Sequence, residues 1–402
     1  MITLSMIRKE PKGVSNMNVY FDNSATTKPS PEVLRSMHEV AERFYGNPSS
    51  LHHLGIESEN LIKKAREVIA NSLKVDHSEI YFTSGGTESN NLAIKGIAFQ
   101  YQSRGKHLVT SSIEHPSVSE VFQSLEKDFG FDITYLPVDS LGRVSVEDLK
   151  KAVRDDTVLV SIMHVNNEIG SIQPIKEIGE WLKTKRKIFF HVDDVQGYGR
   201  VSLNIKDCGI DLYSVSGHKL HGPKGMGILY IRDGVIISPL FHGGDQQNGY
   251  RPGTENVPGI VGLAKAIRMA KEKEEDHRIH LNELKKKLIH GLHDIIGKIR
   301  INSNEEPSLG APHIVNFSLP GLKSEVILHA LEEKGIYIST KSACSSKVNK
   351  PSRVLKAMGL QDEEAISSLR ISFSTENTLE EVDYFLQTIK EILPYYQKIM
   401  KV

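Results

Sequence analysis

Short, β-branched apolar runs alternate with helical patterns from about residue 59 to about residue 270, which predicts an α/β domain around a mainly parallel sheet. The predicted strands are 80–83, 107–111, 157–165, 187–192, 211–215 and 226–231, each ending near polar or glycine-rich residues. In open α/β sheets the carboxyl ends of such strands carry the ligand site. Between them, the segment 59–73 puts Leu61, Ile62, Ala65, Val68, Ile69 and Leu73 on one helical face, which reads as core.

Over 271–287 charge dominates but a helical rhythm persists, so we expect a long solvent-facing helix joining two domains. A second pattern follows: strand 313–319, helix 324–334, strand 336–340, a loop holding Cys344, helix 351–358, strand 368–374 and helix 379–392. The expected division is an unstructured segment 1–18, with Met17 as an alternative start, a large ligand-binding domain 19–275 whose first residues pack on the small one, and a small α/β domain 276–402. The chain shows no internal repeat and no low-complexity tract.

Composition narrows the function classes. Fifty Lys and Arg balance fifty Asp and Glu over 402 residues, so no basic field for nucleic acid stands out and a small-molecule substrate is the default. No run nears the roughly 18 apolar residues of a membrane span, and the N-terminus lacks an apolar leader, so a soluble, cytoplasmic protein is expected. The two cysteines, Cys208 and Cys344, form no C-x-x-C pair, which argues against a disulfide framework or a cysteine zinc site and leaves free thiols. The 17 histidines show no ligand spacing, so no metal site is expected.

Five segments can carry chemistry. Ser84-Gly85-Gly86-Thr87-Glu88 joins a strand to an apolar helix; it suits a phosphate held at a helix N-terminus and equally an ordinary turn. His191-Val192-Asp193-Asp194-Val195-Gln196 follows an apolar run, from which a carboxylate can pair with a cationic ring nitrogen; a His191–Asp193 metal pair lacks further ligands. Ser214-Val215-Ser216-Gly217-His218-Lys219 is the strongest element, because a lysine at a strand end can form a Schiff base, whereas Lys224 nearby is surface. Cys344, in a small-residue loop, reads equally as a nucleophile and as a structural thiol, while Cys208 reads as an inert buried thiol in a strand. Arg370 interrupts an apolar strand, where it can clamp a carboxylate bidentately or serve a structural ion pair.

Taken in order, these segments resemble the cysteine desulfurase (NifS/IscS-like) family, in the class V aminotransferase branch of fold-type I pyridoxal-phosphate enzymes. The likeness runs from Val19 to about Leu393, through Asp22-Asn23-Ser24-Ala25-Thr26-Thr27, Gly46-Asn47-Pro48-Ser49-Ser50, His164-Val165-Asn166-Asn167-Glu168, Arg251-Pro252-Gly253-Thr254-Glu255-Asn256 and Ser342-Ala343-Cys344-Ser345 as well as the segments above. It implies covalent attachment of pyridoxal 5'-phosphate to Lys219, with His115 stacked on the ring, Asp193 at the ring nitrogen and Gln196 at the phenolic oxygen. Gly86, Thr87, Ser216, Gly217 and His218 would surround the phosphate, and Asn167 and Arg370 would bind the substrate carboxylate. Thr254 would reach the phosphate in the other subunit, which implies a homodimer. The implied activity takes sulfur from L-cysteine, leaving L-alanine and a persulfide on Cys344.

The resemblance also implies a swinging Cys344 loop and a protein acceptor for the sulfur: a tRNA-thiolating enzyme, a thiamine-pathway sulfur carrier or an iron–sulfur scaffold. Because the chain ends soon after its last predicted helix, a dedicated acceptor is expected at least as much as a scaffold. Competing readings are a selenocysteine lyase or another class V aminotransferase using Lys219, and a sulfur-delivery protein inactive until its acceptor binds. The segment 244–250 is less basic than in many relatives, with no effect assigned.

Overall fold

The computed structural model describes residues 17–185, 187–295, 299–340 and 351–400. The first part of the chain runs β1 (Val19–Tyr20), α1 (Pro31–Arg43), α2 (His53–Leu73), β2 (Ile80–Thr83), α3 (Gly86–Tyr101), β3 (His107–Ser111), α4 (Pro116–Phe129), β4 (Asp132–Leu136), α5 (Val146–Ala152), β5 (Thr157–Met163), α6 (Ile175–Leu182), β6 (Phe189–Asp193), β7 (Leu212–Ser216), β8 (Gly227–Ile231) and α7 (Val257–Glu272). The rest runs α8 (Glu274–Ile295), β9 (Arg300–Ile301), β10 (Ile314–Ser318), α9 (Ser324–Glu332), β11 (Ile336–Tyr337), α10 (Arg353–Ala357), α11 (Asp362–Ile366), β12 (Ser368–Ser372) and α12 (Leu379–Met400).

Seven strands form the central sheet in the order β2-β8-β7-β6-β5-β3-β4. The five from β7 to β4 are parallel, while β8 is antiparallel to both its neighbours. Every residue of β5 and β7 is buried, because helices cover both faces and alternation gives way to continuous apolar runs. One face packs on α2, α6 and α7 through Ile62, Ile69, Ile178 and Ile260. The other packs on α3 and α4 through Ile94, Ile97, Val121 and Phe122.

A three-stranded antiparallel sheet, β12-β10-β9, forms a second layer system with α8 and α12. Its core takes in Val19 and Phe21 from the start of the chain, where β1 pairs in parallel with β11 and Asp22 bridges to Ser372. Phe21 meets Phe373 edge-on at 5.1 Å.

The charged helix departs from the sequence expectation. Instead of one solvent-facing connector there is a break at Lys273, and α8 buries Leu281, Leu284, Leu288 and Leu292 completely. Each such leucine stabilises by roughly 1.5–3 kcal/mol, so a stripe spaced by three and four residues overrides the surrounding charge. Even Lys285 is buried, donating to the carbonyls of Asn304 at 2.7 Å and Ala311 at 3.1 Å. Strand β4 was not among the predicted strands, its pattern being short and flanked by polar residues. The 336–340 strand shortens to two residues, after which Ser339 bridges to Arg370. Cys208 lies in a turn before β7 and not in a strand, but it is buried, and burial pushes its thiol pKa up.

Candidate active site

Segments leaving the parallel strands converge on a cavity of about 190 Å³ lined by Gly86, Thr87, His115, Asn167, Asp193, Gln196, Ser216, His218, Lys219 and Arg370. These residues are scattered over nearly 300 positions of sequence; Arg370 comes from β12 of the three-stranded sheet, and the others from the ends of central-sheet strands and the segments that follow them. Gly217 stands just behind the lining. A Cβ there would meet Leu263 at 2.8 Å and the Pro223 carbonyl at 3.0 Å, so glycine permits the close packing of this turn on α7. Thr254 is exposed and lines no part of the cavity. Cys344 lies outside the described residues.

The phosphate-type cradle is built by the β2–α3 turn. Gly85, at φ +148°, adopts a backbone that L side chains rarely reach, and it starts α3 so that the first-turn N–H groups face the cavity side. At Gly86 a Cβ would lie 2.7 Å from Val195 Cγ2 and 3.6 Å from Ser216 Cβ, so only glycine leaves this floor open. Glu88 closes the turn by accepting from Ser84 N at 2.9 Å and pairing with Arg251 at 3.0 Å.

The two adjacent aspartates separate by strand alternation. Asp193 lines the cavity, accepting from Val195 N at 3.0 Å and Asn90 Nδ2 at 2.8 Å, and burial raises its pKa to about 6. Asp194 points the other way, bonded to His164 Nδ1 at 2.6 Å and to the Tyr213 hydroxyl. His191 is held between the hydroxyls of Ser161 and Ser214, and the described residues contain no cluster that could bind a metal.

His115 caps α4, with Pro116 at the first helical position. Its Nδ1 accepts from Ser117 N at 3.1 Å and lies 2.8 Å from Ser117 Oγ. The remaining proton of the neutral ring is therefore on Nε2. Burial first, then the charges of Lys219 and Arg353, push its pKa down to about 4. Asn90 Nδ2 also donates to Ser117 Oγ at 2.9 Å, so one carboxamide ties His115 to Asp193. Neither Asn90 nor Ser117 was singled out from sequence; the available signal was a carboxamide on the buried face of an otherwise apolar helix.

Lys219 Nζ donates to the carbonyls of Ser24 at 2.5 Å and Ala25 at 2.7 Å. Gln196 Nε2 donates to Ser24 O at 3.0 Å, while its Oε1 and Ser24 Oγ are buried without a hydrogen bond among the described residues. His218 lies 3.1 Å from Thr26 Oγ1, and burial lowers its pKa to about 4. Arg370 is 1% exposed and makes the structural ion pair that was one of its two readings from sequence. Nη2 binds Asp22 at 2.7 Å and Nη1 the carbonyl of Asn167 at 3.0 Å, yet Nε has no hydrogen-bond partner among the described residues.

These features fit a pyridine-aldehyde phosphate. An amine stands beside a buried carboxylate that gains from a cationic nitrogen, a glycine floor suits a phosphate, and orphaned polar atoms at Gln196, Ser24 and Arg370 remain to be satisfied.

In the segment 244–250, Gln247 and Asn248 both have positive φ, at 50° and 54°. The strain aims the Gln247 side chain inward, where it accepts from Phe82 N at 3.0 Å and Arg66 at 3.2 Å and donates to Glu255 at 2.9 Å. The loop bearing Thr254 is thereby tied to β2.

The model of the aminotransferase class-V family matches residues 19–385. The chain is 47% identical over 378 residues to a cysteine desulfurase IscS of Clostridium botulinum, covering 94% of this chain and 95% of the relative. It is 48% identical to a cysteine desulfurase IscS of Methanosarcina thermophila, covering 96% and 94%. Among solved structures, a NifS-like protein superposes with a TM-score of 0.89 at 42% identity, covering 94% of this chain and 100% of that one. A structure described as SspA in complex with cysteine gives 0.77 at 37% identity, covering 90% and 100%.

Proposed function

The chain belongs to the aminotransferase class-V family, and from that premise we propose that it is a cysteine desulfurase whose own residues work as follows. Pyridoxal 5'-phosphate, when bound, supplies an electron sink for the electron pair left on the substrate α-carbon. Lys219 Nζ would be the amine that holds the cofactor; when free, it takes the α-proton and returns a proton to the α-carbon before alanine leaves. Asp193 would hold the ring nitrogen and the proton on it, since a cation there would stabilise the buried carboxylate. Asn90 and Ser117 fix the Nδ1 side of His115, so this residue holds its exchangeable proton at Nε2, beside the reacting thiol.

Gly86, Thr87, Ser216 and His218 receive the phosphate, and Gln196 the phenolic oxygen. Arg370 and Asn167 orient the substrate carboxylate. The Cys344 thiolate attacks the substrate sulfur: an S–S bond forms, the carbon–sulfur bond breaks, and the carbon takes up a proton. L-Alanine leaves and Cys344 keeps a persulfide, which passes to a protein acceptor in tRNA thiolation, thiamine or iron–sulfur cluster synthesis. The enzyme acts in the cytoplasm as a homodimer, with Thr254 serving the partner subunit's cofactor. No described helix is long and apolar enough to cross a membrane.

The observation that carries this reading is the meeting of Lys219, Asp193, His115 and Arg370 in one cavity. Turnover of L-cysteine with a dithiol reductant tests it, with alanine and sulfide quantified together. Equal yields are expected from the wild type and near silence from Cys344→Ser. Sustained desulfuration by that variant would refute the persulfide step.

A further inference from the structure

A second cavity, of about 200 Å³, shares no lining residue with the first and lies across the turn that carries Lys219. Both parts of the chain contribute to it: Arg200 and His221 from the large sheet's loops, Lys273 between α7 and α8, His277 on α8, Glu32 on α1, and Glu376 after β12. Ala270 and Met269 supply an apolar wall.

Arg200 decides the chemistry. Its residue is 6% exposed, and its guanidinium donates to backbone carbonyls, that of Lys219 at 2.5 Å and that of Gln196 at 3.4 Å. No carboxylate lies within ion-pair distance of it among the described residues, although a buried cation gains most from a direct counter-ion. The buried Asp194 acts on Arg200 through space without pairing with it, Glu32 pairs with Arg35 at 3.1 Å, and Glu376 is exposed at the rim. Arg200, His221, Lys273 and His277 all line this one cavity.

The geometry points to a binding site for a small oxyanion, a phosphate or a carboxylate, seated against Arg200 and Lys273. Because Arg200 holds the carbonyl of Lys219, such a ligand acts one residue contact away from the catalytic amine. Its cavity is also closed by Ser374 and Thr375, so occupancy bridges the two sheets' halves of the molecule.

Calorimetric titration of the holoenzyme with inorganic phosphate, and separately with acetate at constant ionic strength, tests this and separates the two sources. At least one anion should give a saturable heat, one site per chain, with a dissociation constant of about 1 mM or tighter. Ala270→Phe fills the cavity and should abolish that heat while the cofactor absorbance is unchanged. Lys273→Ala, at an exposed position, should weaken binding about threefold. The proposal is overturned if neither anion saturates, or if the heat survives both variants. Acetate held only by Arg370 would survive Ala270→Phe and so count against the site.

Discussion

Arg370 has two duties that can be separated by experiment. Its Nη2 pairs with Asp22 and its Nη1 with the carbonyl of Asn167, whereas the buried Nε has no partner among the described residues. A substrate carboxylate satisfying Nε through a charge-assisted bond gains about 1.5–3 kcal/mol, so Arg370→Met should lower kcat/KM for L-cysteine by roughly 10- to 150-fold. The structural share is smaller, because the Asp22 side chain is 21% exposed and can rehydrate when its partner is lost. Asp22→Asn removes that share alone and should lower kcat/KM by only a few fold. Cysteamine, which lacks the carboxylate, supplies the control. Sulfide release should show the wild type preferring L-cysteine over cysteamine by about the factor lost in Arg370→Met, and the variant should lose the preference. If the variant instead loses activity toward both compounds equally, or if Asp22→Asn costs as much as Arg370→Met, Arg370 is a structural ion pair and the carboxylate reading is wrong.

Gly86→Ala places a methyl 2.7 Å from Val195 Cγ2 on the cradle floor, and we expect purified variant protein to lose cofactor, read as the ratio of visible to ultraviolet absorbance; full retention would refute the cradle. Asn90→Ala cuts the link between His115 and Asp193 and should shift the pH at which the cofactor absorbance changes, with a cost of roughly 1–3 kcal/mol from the unpaired groups; an unmoved spectral titration would show the link is only structural. Burial lowers the pKa of Lys285 from 10.5 to about 8, so below pH 8 the folded state carries a penalty of about 3 kcal/mol that fades as pH rises toward 10.5. Wild-type thermal stability should therefore rise across that window relative to Lys285→Met, and parallel pH profiles would contradict the burial argument.

Much of this was legible before the fold. The strands 80–83 and 107–111 coincide with β2 and β3, because each is a β-branched run bounded by turn residues. The lysine, aspartate and arginine of the cavity stood out as polar groups at strand ends or inside apolar strands. Other features were hidden by averaging over local charge. In α8 the four leucines form a buried stripe that a count of lysines and glutamates conceals, and Lys285 enters the core beside them. Asn90 reads as one polar residue in the first turns of a helix until its neighbours across 27 and 103 residues of sequence are known. The pairing of Asp194 with His164 and Tyr213 was equally invisible, since only the three-dimensional strand order brings β5, β6 and β7 together.

One physical pattern links the concealed residues. Arg200, Lys285 and Arg353 are each held by main-chain carbonyls, those of Lys219 and Gln196, of Asn304 and Ala311, and of Glu114, with no carboxylate in ion-pair reach among the described residues. Lys219 also donates to two carbonyls. Such a cation leaves no acidic partner for a sequence pattern to reveal. Carbonyl dipoles solvate such a cation without supplying a counter-charge, and burial still lowers the pKa of Lys285 to about 8. An enzyme that must receive a phosphate and a substrate carboxylate within one narrow cavity needs positive charge that is desolvated yet uncommitted. Of these cations Lys219 lines the active-site cavity, where carbonyl partners leave its charge available to a ligand; Arg200, Lys285 and Arg353 do not line it, and Arg370, which does, keeps Asp22 as its ion-pair partner.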